Sequence, residues 1–220
     1  MRLRKLLLAT SAIVAAGAMA IAPAAMAGPT VGSSTTGDHT INLTMKSASV
    51  SIKVYGITTN ITCTAGSGSG VAHAGSGLTY WATINSLSLT CPSIFPGTTV
   101  TMAATCAIDV DFTCAVTAGV DTAIASTAYF TNHATPPVDC VGVSISNGCT
   151  FTVGNVTTTS FDETTVTKAG VNYQALTLSG NGPTIHAVNG CLGAVSNNQT
   201  FTLNAVFNVQ SPDGLINIQP

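Results

Sequence analysis

The sequence predicts an all-β fold: one antiparallel β-sandwich, Greek-key or Ig-like, stapled by disulfides and preceded by a cleaved signal peptide. Three observations predict it. Beyond the N-terminal segment no useful stretch repeats its apolar residues every 3.6 positions, whereas several alternate with period two, as a half-buried strand requires. Thr, Val and Ile dominate these runs, and Gly, Pro, Asn and Asp interrupt them about every dozen residues. All seven cysteines lie beyond the N-terminal segment, which in an exported chain reads first as a disulfide framework with one thiol left over.

That N-terminal segment is the first element. Arg2, Arg4 and Lys5 precede an apolar run from Leu6 to Ile21, and Ala25-Met26-Ala27 is a small-x-small cleavage site. Residues 1–27 are therefore expected to direct export and to be removed. Membrane contact is expected only through this segment before cleavage, and the mature protein is placed outside the cell or on its surface. Cleavage leaves Lys46, Lys53 and Lys168 against eight acids, three minus eight or −5. That excludes a basic nucleic-acid footprint and makes acidic partners poor electrostatic targets. Charged residues make up only 6% of the chain, so solubility rests on Thr, Ser, Asn and Gly, a composition that favours self-association.

Residues 28–40 are Gly/Ser/Thr-rich and read as a flexible arm. One domain is expected over 41–220, and a mature chain of about 190 residues supplies a core of ordinary size. Ser49 to Tyr55 is the first strand, broken at Gly56 and resumed from Ile57 to Thr64. Gly66 to Gly77 reads as a flexible loop. Leu78 to Cys91 is one or two strands bent near Asn85, and Thr98 to Met102 begins another. From Cys106 to Val116, Cys106, Ile108, Val110, Phe112 and Cys114 share a face. As one strand this holds Cys106 and Cys114 about 26 Å apart, far beyond the roughly 7 Å a disulfide tolerates, so each needs another partner or stays free.

Ala123 to Phe130 is a further strand. Val141 to Ser146 and Thr150 to Val153 form a hairpin about Asn147-Gly148, a type I′ signal. Gly154 to Thr159 continues a Thr-rich run, Tyr173 to Leu178 is a strand, and Thr184 to Val188 is short and β-prone. The clearest pattern closes the chain. Phe201, Leu203, Ala205, Phe207 and Val209 point one way and Thr202, Asn204, Val206, Asn208 and Gln210 the other, before a Ser-Pro-Asp-Gly turn at Ser211 to Gly214.

The stretches Cys63-Thr64-Ala65-Gly66-Ser67-Gly68-Ser69-Gly70 and Ile84-Asn85-Ser86-Leu87-Ser88-Leu89-Thr90-Cys91 resemble those of a group of exported actinobacterial proteins with little functional assignment. So do Gly148-Cys149-Thr150-Phe151-Thr152-Val153-Gly154 and the closing Gly190-Cys191-Leu192-Gly193 with its strand. The resemblance spans most of 57–218. It implies a secreted β-sandwich and the pairs Cys63–Cys91 and Cys149–Cys191, and it carries over no catalytic residue. Such pairs would close loops of about 28 and 42 residues, roughly 3–4 kcal/mol each on the chain-entropy view. Cys106, Cys114 and Cys140 are left for a third bond; the expectation taken is Cys114–Cys140, with Cys106 as the free thiol.

No catalytic, cofactor or metal site is expected. His39, His73, His133 and His186 show no metal-ligand spacing, and the cysteines no C-x-x-C. No serine sits in a G-x-S-x-G elbow. Asp109 and Asp111 share a face and read as solvated, with a cation or carboxylate-pair role as the sharper alternative. Trp81 beside Tyr80 reads as a core or rim pair rather than a sugar platform. The N-x-S/T sequons at Asn42, Asn60, Asn155 and Asn198 arise by chance in a Thr-rich chain. The function expected is a non-enzymatic structural or adhesive protein of the cell envelope or extracellular space, with itself or cell-wall components as partners. The alternatives are an outer-membrane or mycomembrane β-barrel channel, and a secreted carbohydrate-binding module or hydrolase.

Overall fold

A computed structural model describes residues 30–32, 37–75, 78, 80–92, 99–112, 124–130, 138–154, 156–168, 171–180 and 182–219. The signal segment, Cys114, His133 and Asn155 lie outside them. The fold is all-β and antiparallel. The strands are β1 (Thr30–Gly32), β2 (His39–Val54), β3 (Ile57–Thr62), β4 (Ala65–Ala72) and β5 (Tyr80–Pro92). Next come β6 (Thr99–Ala104), β7 (Ile108–Phe112), β8 (Ile124–Tyr129), β9 (Val141–Ile145) and β10 (Thr150–Gly154). The chain ends with β11 (Val156–Lys168), β12 (Val171–Gly180), β13 (Thr184–Asn189), β14 (Thr202–Gln210) and β15 (Asn217–Gln219).

Thirteen strands form one continuous, curled sheet. Neighbours run β5-β4-β2-β14-β12-β11-β8-β7, and β7 pairs back onto β5, closing a ring of strands. β6, β9, β10 and β13 extend from the far part of β5, and β3 pairs with the far part of β2. The sheet is thus a ring at one end and splays open at the other. Closure is one of the few ways for a sheet to lose its unpaired edges, which is why the ring carries none.

Two bulges mark where ring gives way to splay. The β2–β14 register skips Lys46, and the β4–β5 register skips Asn85. Beyond them β2 exchanges β4 for β3, and β5 exchanges β7 for β6. An extra residue bends a strand and increases its twist, so the bend expected near Asn85 has a concrete cause.

The ring interior is packed with apolar side chains. Ile41, Leu43, Trp81, Ile84, Ile108, Val110, Phe161, Leu178 and Phe207 are buried, and the Trp81 and Phe161 rings lie 4.8 Å apart. The alternation expected from Phe201 to Gln210 is that of β14: Leu203, Ala205, Phe207 and Val209 are buried between half-exposed and exposed neighbours. At the end where β2 begins, the segment after β14 closes the ring. Gln174 holds it as a strand partner would, its Nε2 donating to the Ile216 carbonyl at 2.6 Å and its Oε1 accepting from the Ile216 N–H at 2.9 Å. Ile216 is buried there. β15 then pairs with β1, so part of the arm read as flexible is ordered.

The Gly/Ser run read as a loop is β4, in the middle of the sheet. Gly66, Gly68 and Gly70 share a face, and none has room for a Cβ. At Gly66 it would meet the Leu89 side chain at 2.5 Å; at Gly68, the Ser86 carbonyl oxygen at 2.5 Å; at Gly70, the Thr83 carbonyl oxygen. Ser67 and Ser69 face the other way, and the Ser69 and Ser86 hydroxyls are 2.8 Å apart. Period two is present, with hydrogen in place of the inward side chain.

Three disulfides join Cys63 to Cys91, Cys149 to Cys191, and Cys106 to Cys140. The third corrects the expected Cys114–Cys140 pairing and the free thiol at Cys106. The run from Cys106 is not a single strand: Thr105 and Cys106 form a bend between β6 and β7, and strand structure begins only at Ile108. The bend brings Cys106 beside the segment entering β9, where the Thr105 N–H donates to the Cys140 carbonyl at 2.8 Å. The β9–β10 connection also differs from expectation. Only Gly148 has positive φ (93°), and its N–H donates to the Ile145 carbonyl at 2.9 Å. This is a three-residue turn ending in a left-handed glycine, held by the Cys149 N–H on Asn147 Oδ1 at 3.1 Å.

Candidate functional site

In the splayed end, β2 and β3 face β6, β9 and β10 across a cavity of ≈ 220 Å³. Alternation along the strands supplies its walls. Val50, Ile52 and Val54 line one side with Ile61; Val100, Met102, Val143 and Ile145 line the other with Phe151. No lysine, arginine, histidine or carboxylate is among the lining residues. The only polar side chains there belong to Tyr55 and Asn147, both in turns at the strand ends.

The mouth is built by two turns. The Tyr55-Gly56 turn joins β2 to β3, and residues 190–195 follow β13. They are tied by the Tyr55 N–H on the Ala194 carbonyl at 2.9 Å. Cys191 anchors the second turn to Cys149. Gly190 has φ of 66°, and a Cβ on it would run into the Gly148 carbonyl oxygen, so only glycine lets this turn pack against the β9–β10 turn. Tyr55 and Leu192 both have positive φ, 48° and 49°, a conformation non-glycine residues adopt at a cost. Their side chains are nonetheless exposed, 63% for Tyr55 and 91% for Leu192, beside Ile57 at 71%. Sequence reasoning singled out the Gly-flanked cysteine loop but missed these residues as a site. The available signal was Leu192 itself, a large apolar residue between Cys191 and Gly193 in a turn.

The described histidines His39, His73 and His186 lie elsewhere, each beside an aspartate. His73 Nδ1 is 3.1 Å from Asp38 Oδ2, and its Nε2 is 2.9 Å from the Thr83 hydroxyl. Thr83 donates to Asp109 Oδ1 at 2.9 Å. The order Asp–His–hydroxyl resembles that of a nucleophile triad, but the proton count differs. A nucleophile donates its hydroxyl proton to the histidine; here the single Thr83 hydroxyl proton points to Asp109. The chain ties the starts of β2 and β5 to β7. The carboxyl of Asp38 is held below its usual range, chiefly by the Ala74 N–H and next by His73.

Asp109 and Asp111 do share a face, and each receives a hydroxyl; that of Tyr129 reaches Asp111 Oδ2 at 3.4 Å. Burial first, then the neighbouring aspartates, push the Tyr80 and Tyr129 hydroxyls above their ordinary value. Their rings meet edge to face at 6.5 Å. Trp81, on the opposite face of β5, is fully buried in the ring. On the flank, Asp139 Oδ2 accepts from Thr152 and lies 2.9 Å from His186 Nδ1, pinning the segment before β9 across β10 and β13. His39 lies 3.7 Å from Asp213 under the ring closure. Among the described residues, no three His, Cys, Asp or Glu side chains are grouped to hold a metal ion. Among them also, no helix is long and apolar enough to cross a membrane.

No family model matches the chain, and neither a curated protein nor a solved structure does.

Proposed function

We propose that this is an exported, non-enzymatic module of the cell envelope or extracellular space that acts by contact, with the cavity mouth as its contact surface. The observation that carries the reading is the rigid apolar prominence of Tyr55, Ile57 and Leu192, fixed by a disulfide and by strained backbone. Exposed apolar groups held in place at such cost suit a partner surface. Three disulfides fit an oxidising compartment. The resemblance to exported actinobacterial proteins supports the same placement. The packed, apolar ring interior argues against a channel, because a membrane barrel turns its apolar face to lipid and its polar face inward. The burial of Trp81 argues against a sugar platform there.

The test is sedimentation of the purified mature protein alone and with isolated cell envelope. Self-association or envelope binding is expected, and Leu192→Asp with Ile57→Asp removes it while the disulfides form normally. A strictly monomeric protein that leaves the envelope in the supernatant overturns the reading.

A further inference from the structure

We propose that the cavity between β2–β3 and β6–β9–β10 is a binding site for a linear alkyl chain carrying an uncharged polar head. This deepens the contact reading and rests on it for the surface that meets the partner. Three features define the occupant. The first is shape. Val50, Ile52 and Val54 are alternate residues of one strand, so the lined wall extends about 13 Å along it. The second is chemistry. The lining side chains along that length are aliphatic or aromatic apart from Met102 and the Cys149–Cys191 disulfide, whose sulfurs are soft and apolar. An apolar cavity of about 150 Å³ already takes up benzene, and this one is ≈ 220 Å³. The third is charge. Among the described residues no cation lines the site to pair with a carboxylate or phosphate, and burying such a group unpaired is costly. Polar contact is confined to the mouth, where the Tyr55 hydroxyl and the Asn147 amide suit an alcohol, ester or amide head.

The arrangement is therefore an apolar slot with a polar entrance, open where Leu192 and Tyr55 project. Among the described residues the buried polar side chains, His39, Thr159 and Gln174, lie outside the slot. A chain entering the slot displaces no bound polar group. Its affinity depends on how much of it the walls cover.

The experiment is calorimetric titration of the disulfide-intact protein with straight-chain alcohols from butanol to dodecanol. Each added methylene tightens binding about fourfold, corresponding to about 0.8 kcal/mol, until the slot is full; affinity then levels off. The heat-capacity change is negative. Val143→Phe puts a ring into the slot and weakens binding at least about tenfold. Met102→Ala lengthens the slot and moves the plateau to longer chains. If Val143→Phe does not fold, the native series and Met102→Ala still decide. No saturable binding at any chain length overturns the proposal. So does a gain per methylene that never levels off and ignores Met102→Ala, which is surface partitioning. Parallel titration with zwitterionic phospholipid vesicles separates the sources: alcohols and vesicles together assign a membrane lipid, alcohols alone a free amphiphile. Envelope binding without alcohol binding defeats this inference and leaves the contact reading standing.

Discussion

The two ends of this sheet solve the same problem by different chemistry. In the ring, hydrogen bonds close the sheet on itself and aromatic packing fills the inside. In the splayed end closure is thinner: β3 remains an edge among the described residues, and β13 meets residues 198–200 through a short bridge of Thr184 with Thr200 and the Ile185 N–H on the Gln199 carbonyl at 3.0 Å; a cavity separates the walls, and covalent bonds add to the hydrogen bonds. Five strands there are bordered within two residues by a half-cystine: β3 by Cys63, β6 by Cys106, β9 by Cys140, β10 by Cys149 and β13 by Cys191. A slot that must stay open cannot be held by the side chains that would fill it. Disulfides restrict the chain without occupying the space between the walls.

That comparison can be broken first in the ring. Trp81→Ala removes the largest fully buried side chain and is expected to cost about 3–5 kcal/mol in denaturant unfolding. Trp81→Phe sharpens the point. Trp81 Nε1 is buried without a hydrogen-bond partner, so losing it sacrifices no bond, and the cost falls to a fraction of that for alanine. Equal costs for the two variants would mean that the indole N–H has a role packing does not explain.

The next largest effect belongs to the splayed end. Cys149→Ser with Cys191→Ser is expected to cost about 2–4 kcal/mol. In native-state hydrogen exchange β10 and β13 lose protection while β12 and β14 keep theirs. Uniform loss across all four strands would show that the ends do not behave separately. Gly190→Ala is a milder blow to the same region. With positive φ and no room for a Cβ, it is expected to cost about 1–3 kcal/mol, read as a lower unfolding midpoint with all three disulfides intact.

The smallest effect is electrostatic and lies on the ring exterior. Asp38 has a depressed folded pKa. Its contribution is therefore present above the unfolded value near 3.8 and fades as pH falls through the lower folded value. Asp38 is 55% exposed, so screening keeps the contribution below about 1 kcal/mol. Asp38→Asn is expected to flatten the acid limb of the stability profile and leave the neutral region nearly unchanged. A steeper acid limb in Asp38→Asn would reverse the assignment.

Much of this was legible in the residues themselves. Phe201 to Val209 announced β14, because one buried face and one wetter face is what period two records. Asn85 announced the bend of β5. The Gly66–Gly70 run misled because a linker and a glycine-faced strand have the same composition; what separates them is that Leu89, Met45 and Leu43 lean into the missing volume, which only the fold reveals. Cys106 misled because a bend can follow Ala104 without glycine or proline when a disulfide partner draws it in. The cavity was illegible for a related reason. Val50 and Val143 look alike in sequence to the residues that fill the ring, and only the gap between their strands distinguishes them.

The pairing of β1 with β15 decides which way the molecule faces. β2 runs from the closed pole at His39 to the slot mouth at Val54, about 50 Å along the strand. Both Thr30 and Gln219 sit at the closed pole. Whatever is joined at this pole leaves the opposite pole unobstructed. A bead, a partner protein or a wall polymer attached through the β1–β15 pair thus leaves the slot facing outward.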